Sequence, residues 1–165
     1  MADRMRSMTE RNVKLGDVLV KKGWLTHDQL EEALQKQKSS REFLGAVLLR
    51  ERYITEDQLV LALSEQFGIP CVRLKNFYVD WTLAMKFSAS LILEHQCFPL
   101  RKDPEAITFG IVNPLNASAL AEVEKETKGD IAKLVLVKES EMRDLLERYR
   151  QYVNIKIRRS LDEAG

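Results

Sequence analysis

The sequence predicts an α+β fold: an N-terminal helical subdomain of two repeated helix pairs, followed by a small α/β subdomain with a mixed sheet. Three observations carry this. Residues 14–37, KLGDVLVKKGWLTHDQLEEALQKQ, realign without a gap on residues 43–66, FLGAVLLRERYITEDQLVLALSEQ, across the spacer KSSRE. Both copies place apolar residues at helical spacing. From Phe67 onward the β-branched content rises and short apolar runs alternate with turn signals, the pattern of strands mixed with short helices. The expected organisation is a flexible arm over 1–12, the duplicated helical subdomain over 13–66, the α/β subdomain over 67–152 and a polar tail over 153–165.

Each copy reads as a helix pair. In the first, Leu15, Val18, Leu19 and Lys22 step round a short helix that Gly23 can end in a left-handed conformation. Thr26 with Gln29, and Thr55 with Gln58, have the Thr-x-x-Gln spacing of a capping box, in which hydroxyl and amide satisfy backbone donors at a helix start. Within the second helix of each pair, Leu30, Leu34 and Gln37 fall at i, i+4 and i+7, as do Leu59, Leu63 and Gln66. A glutamine thus extends each leucine stripe. Two repeats are too few for a free-standing solenoid, so the pairs are expected to pack on each other or on the C-terminal half of the chain.

After Gly68-Ile69-Pro70, the run CVRL is expected to form a strand. Trp81 to Phe87 and Leu91 to Gln96 read as helical, the second opened by Ser88 or Ser90. CFPLRK and AITFGIV flank Asp103-Pro104-Glu105, a turn sequence that predicts a hairpin. Asn113-Pro114 ends that second strand. Asn116 is placed to cap a helix to about Thr127, with Gly129 stopping it. IAKLVLV then predicts a strand, and Ser140 opens an amphipathic helix expected to reach about Tyr152.

Composition narrows the function. The 165 residues carry 26 Lys+Arg against 25 Asp+Glu, a formal net charge of +1, so the overall field gives no reason to expect DNA. No apolar run approaches the ~18 residues of a membrane span, and MADRMRSMTERN lacks the hydrophobic stretch of a signal peptide. A cytoplasmic setting is expected, with Cys71 and Cys97 as reduced thiols. His27 and His95 are not in metal-ligand spacing, and neither a GxGxxG nor a GxxxxGKS/T loop occurs. No catalytic set, metal site or cofactor is indicated, so the chain is not expected to be an enzyme.

The repeat offers more. Eleven of the 24 aligned positions are identical, including Gly16/Gly45 and Gln37/Gln66, which a shared apolar core does not require. Glycine near a helix start costs about 1 kcal/mol against alanine, so its recurrence implies close approach of a helix or a ligand to backbone. A glutamine amide offers donors and acceptors, as the edge of a guanine does, and neighbouring leucines can cover a base. Tight helix packing with solvated glutamines remains the alternative.

At these residues the chain resembles the MshEN-type domain, the N-terminal domain of type II secretion and type IV pilus assembly ATPases. The family pattern RLGxxLxxxG followed by xxxxxxLxxxLxxQ is met twice, with departures at Lys14, Phe43 and Arg52. FGIPCVRL, CFPLRKDPEAITFGIVNPLN and IAKLVLVKESEMRDLLERY resemble the remainder, so the likeness covers about residues 13–152. The resemblance implies that the repeat is a cyclic di-GMP site, each copy holding one half of the ligand. It implicates Lys14, Leu15, Gly16, Leu30, Leu34 and Gln37 in the first copy, and Phe43, Leu44, Gly45, Leu59, Leu63 and Gln66 in the second. Lys14 stands for the family's leading arginine, keeping the charge without the planar fork. Phe43 at the equivalent place can stack but carries no charge, and Arg52 replaces Gly23, from which a different turn is expected. The family's proteins continue into a motor domain whose phosphate-binding loop this sequence lacks. A non-catalytic cyclic di-GMP-binding regulatory module is therefore expected, serving an unidentified secretion or pilus assembly component. A protein-docking adaptor that has lost nucleotide binding is the second reading.

Overall fold

The computed structural model describes residues 14–164; the arm expected over 1–12 lies outside them. The chain divides into two compact units between Cys71 and Val72, five residues beyond the expected 66/67 boundary because Phe67 closes the last helix of the repeat and the connector after it stays with that unit.

The first unit has four helices: α1 (Leu15–Lys21), α2 (His27–Ser40), α3 (Leu44–Arg50) and α4 (Glu56–Phe67). Both capping boxes form. Thr26 Oγ1 accepts from Gln29 N at 3.1 Å while Gln29 Oε1 accepts from Thr26 N at 3.0 Å; Thr55 and Gln58 repeat this at 3.2 and 2.9 Å. Helix α2 runs three residues into the spacer before Arg41, at φ 59°, ends it.

α1 ends in a paired closure, Gly23 N donating to Val20 O and Trp24 N to Leu19 O, with Gly23 at φ +70°. The different turn expected at Arg52 is not what forms. Arg52 takes φ 58°, donating to Leu49 O, and Tyr53 N donates to Leu48 O. The hydrogen bonds that close the turn fix its geometry, and Arg52 takes the left-handed conformation at a cost of about 1–2 kcal/mol.

The copies pack reciprocally: α1 lies on α4, and α3 on α2. Leu19, Val47, Leu48, Ala33 and Ala62 are fully buried in this unit.

The second unit is built on three strands, β1 (Phe98–Lys102), β2 (Ala106–Ile111) and β3 (Ile131–Leu136), in the order β1-β2-β3. Its helices are the short α5 (Trp81–Ala84), α6 (Ala117–Glu126) and the long α7 (Glu139–Ala164). β1 and β2 form the expected antiparallel hairpin, with a register irregularity between Pro99 and Arg101. Asp103 Oδ1 accepts from Glu105 N and Ala106 N, which fixes the turn. β2 and β3 are parallel, from Ala106 against Ile131 to Ile111 against Leu136. The crossover between them is α6, capped by Asn116 Oδ1 on Ala119 N. Phe98, Leu100, Ile92, Met142 and Leu145 form the core between sheet and α7. Trp81 stacks on Tyr149 and Tyr152, with Phe98 edge-on to Trp81 and Tyr149.

Several local expectations are corrected. CVRL is not a strand: Val72 N makes one bond to Leu136 O at 2.9 Å, and the chain then turns through a 3-10 helix at Leu74–Asn76. Pro70, just upstream, has no N–H to extend such a pairing. α5 is four residues long, capped by Asp80, and Lys86 and Phe87 continue it only as tight i+3 turns. The next segment is a single wide turn, Ser90–Glu94, which Ser88 Oγ opens by accepting from Leu91 N. The helix expected to stop near Tyr152 continues to Ala164, so the tail from 153 is helical.

Candidate functional site

The twelve residues singled out in the repeat begin or line the four helices of the first unit. Lys14 and Phe43 are the residues before α1 and α3, both extended, at φ −75° and −67°. Lys14 is exposed and Phe43 is 50% exposed, so the two equivalent positions offer a cation and a ring to solvent. Leu34 is 39% exposed whereas its counterpart Leu63 is only 6%. Leu30, Leu44, Leu59, Gln37 and Gln66 are half-buried, and Leu15, Gly16 and Gly45 are buried.

The glycines are explained by neighbours within each copy. A Cβ at Gly16 would lie 2.6 Å from Leu30 Cδ1, and one at Gly45 would lie 2.9 Å from Leu59 Cδ1. Both are closer than real carbon contacts allow. The close approach implied by the recurring glycines is thus made by a leucine of the same copy's second helix, α2 or α4. Leu15 supplies a contact between copies, its Cδ2 3.7 Å from the Cβ position of Gly45.

The two glutamines are not equivalent. Gln37 Nε2 donates to the Glu42 carbonyl at 3.0 Å, tying the end of α2 to the residue before Phe43. Gln66 Oε1 is buried, and among the described residues nothing donates to it. A buried acceptor without a partner costs about 1–3 kcal/mol.

Sequence reasoning missed the charges around this framework. Lys22 Nζ lies 2.6 Å from Glu65 Oε2, joining α1 to α4, and Lys36 Nζ lies 2.6 Å from Glu51 Oε2, joining α2 to the end of α3. Lys36 also reaches Glu32 at 2.7 Å, and Arg50 pairs with Glu42 and with Glu51. The carboxyls respond: the Lys36 ammonium holds Glu51 below the ordinary range, and Arg50 does the same to Glu42. Lys36 is raised, chiefly by Glu32 and then Glu51. The readable signal was the constant offset between copies, 43 − 14 = 29 residues, which carries Lys22 onto Glu51 and Lys36 onto Glu65.

Among the described residues there is no group of three or more His, Cys, Asp or Glu placed to hold a metal, and no helix is long and apolar enough to cross a membrane. Cys97 is buried and its thiol is pushed up to about 12 by desolvation.

Residues 67–153 match the MshEN domain. The chain belongs to the MshEN domain family. That match falls on the α/β part, and broader likenesses take in the helical repeat as well. The type IV pilus assembly ATPase PilB of Myxococcus xanthus (strain DK1622) is 26% identical over 136 residues, which is 82% of this chain and 24% of that protein. The chain thus spans about a quarter of the length of that curated relative. The solved structure of MshE with cdg superposes with a TM-score of 0.75 at 24% identity, covering 82% of this chain and 98% of that one. The N-terminal domain of XpsE gives 0.68 at 19% identity, covering 84% and 94%. At these identities the likeness establishes the shared fold, helical part followed by a small mixed sheet, and this MshEN chain has it.

Proposed function

We propose that this MshEN chain is a non-catalytic, cytoplasmic regulatory module that binds cyclic di-GMP on its duplicated helical unit and serves a secretion or type IV pilus assembly component. The observation that carries the reading is the reciprocal packing of two copies of one motif, because a ligand with two equivalent halves is matched by two corresponding half-sites in one surface. The likeness to MshE, solved with cdg, supports the choice of ligand.

In this reading Lys14 faces a phosphate and Phe43 stacks on a purine, a contact worth about 1–3 kcal/mol per base. Leu34 covers the other base, with Leu30 and Leu59 beneath the site. Gln66 accepts from a purine N–H through its unpartnered Oε1 once its side chain turns that buried atom toward the ligand, and Gln37 offers its Oε1 while its Nε2 is held by Glu42. Leu15, Leu44 and Leu63 support the framework, and Gly16 and Gly45 let Leu30 and Leu59 sit low against α1 and α3. Occupancy becomes a signal only if the ligand prefers one arrangement of the chain over another.

Calorimetric titration with cyclic di-GMP tests this, with cyclic di-AMP and GTP as controls. Saturable heat for the first ligand alone, weakened about tenfold or more in Gln66→Ala, is the expected result. No heat and no rise in melting temperature at millimolar ligand removes the reading. The docking adaptor is then the better account, favoured by the exposed Ile155, Ile157 and Leu161 on α7.

A further inference from the structure

The two ion pairs that join the copies are equivalent in position and opposite in sense. Under the 29-residue offset Lys22 maps on Glu51 and Glu65 maps on Lys36. The pair Lys22–Glu65 has its cation just past α1 and its anion on α4, whereas Glu51–Lys36 has its anion just past α3 and its cation on α2. In both places the lysine also lies near an aromatic that comes after the left-handed turn: Lys22 is 5.2 Å from the Trp24 ring and Lys36 is 6.0 Å from the Tyr53 ring.

This inversion matters because the apolar positions tell the copies apart only in part: buried Val60 stands where the first copy has exposed Glu31, but most of the shared core is the same. Leu15/Leu44, Val18/Val47, Leu19/Leu48, Ala33/Ala62 and Leu34/Leu63 are identical. At these shared positions packing by itself does not distinguish a second chain's like copy from the unlike copy. Discrimination between such competing partners requires a repulsive element against the wrong one. Pairing copy one with copy one of another chain would set Lys22 against Lys36. Pairing copy two with copy two would set Glu51 against Glu65. Only unlike pairing satisfies both contacts.

The geometry points to a charge-inverted lock: Lys22–Glu65 and Glu51–Lys36 direct each motif copy to the other kind and reject association of two chains through like copies. A duplicated sequence is prone to such misassembly, and these four side chains guard against it at the surface where the copies meet.

The test uses the full chain and two variants of unchanged net charge. Lys22→Glu with Glu51→Lys makes both contacts between copies like-charged and makes the like-copy contacts opposite-charged. At low salt this variant is expected to melt several degrees below the parent and to gain mass with concentration in light scattering. Both differences shrink at about 1 M salt, where exposed charges are screened within ~3 Å. Adding Lys36→Glu and Glu65→Lys restores opposite charges with reversed sense, so melting temperature and mass return toward the parent's. The lock is overturned if the first variant keeps the parent's melting temperature or fails to gain mass, or if the four-substitution variant recovers neither. Should the first variant not fold, recovery in the second still supports the lock, and no recovery overturns it.

Discussion

At the scale of single residues, the clearest consequences come from three backbone positions. Gly16 and Gly45 sit under Leu30 and Leu59, so Gly16→Ala must displace a leucine whose methyl would be 2.6 Å away, and Gly45→Ala one at 2.9 Å. Overpacking of this kind costs about 1–3 kcal/mol, partly offset by alanine's helix preference of about 1 kcal/mol. Urea denaturation is expected to rank Gly16→Ala as the more damaging of the two; a stabilising effect of either would mean that the leucines move freely. Arg52 is the converse case. It holds φ 58° where the first copy has glycine, so Arg52→Gly is expected to raise stability by up to about 1 kcal/mol, and Gly23→Ala to lower it by a similar amount. The glycine pattern was legible in the sequence, and its cause was not, because a recurring glycine announces close approach without naming what approaches. The Arg52 turn was illegible for a related reason: the bonds Tyr53 N to Leu48 O and Arg52 N to Leu49 O impose the conformation from the fold, and side-chain identity at the turn is overruled. Burial of Cys97 gives a third test. Its thiol, pushed up to about 12, stays protonated when folded, so at pH 8 a thiol reagent is expected to label the half-exposed Cys71 first and Cys97 only on unfolding. By linkage, burial of Cys97 contributes stability that is complete below the pKa of an unfolded thiol and is lost as pH rises toward the folded value. Equal labelling rates would show that the site opens.

Among elements, local chemistry decided where helices start and long-range pairing decided where other segments end. Thr26 and Thr55 form the same capping box by the same atoms, and replacing either by alanine is expected to cost about 1 kcal/mol. Similar losses for both in thermal or urea melts are the expected outcome; a much smaller loss for one would mean that its helix is held by packing alone. Asn116 and the Asp103 turn were equally available from sequence, because a short polar side chain next to a turn bonds its own backbone; the Asp80 cap follows the same rule and was missed. The extended run CVRL was not, since four alternating residues look alike whether they join a sheet or cross past its end. Acidification should act on the elements held by carboxylates. Asp103 is held below its ordinary value by the N–H groups of Glu105 and Ala106, and Glu51 by Lys36. Their folded pKa values are depressed, so their contribution is present above the unfolded values and is lost as pH falls through the folded ones. Melting temperature is accordingly expected to fall as pH drops below about 4, and less steeply in Glu51→Gln. An unchanged slope in that variant would remove Glu51 from the account.

On the scale of the whole molecule, the order of helical repeat and then mixed sheet was readable because helical spacing runs unbroken through both copies and gives way to short apolar runs and turn signals from Phe67, while the extent of α7 was not. The apolar spacing that buries Met142, Leu145, Leu146 and Tyr149 loses its partner after Val153, close to the expected stop near Tyr152. Yet no glycine or proline lies between Tyr152 and Gly165, so nothing local ends the helix, and α7 continues to Ala164. Its last turns are exposed on all sides, including Ile155, Ile157 and Leu161 at 52%, 52% and 68%. A helical stretch of this length without packing is marginal in water. The chain by itself should therefore behave in two ways. Amides from residue 155 onward are expected to exchange with solvent far faster than those of 145–149, which open only with the core. Removal of residues 154–165 is expected to move the melting temperature by less than about 2 °C, because the side chains described there, 154–163, are all exposed. Slow exchange beyond residue 155, or a large fall in melting temperature on truncation, would mean that this end of α7 is covered by the chain itself or by a second copy and is not a free surface. That result would count against the docking reading, which rests on the exposure of Ile155, Ile157 and Leu161.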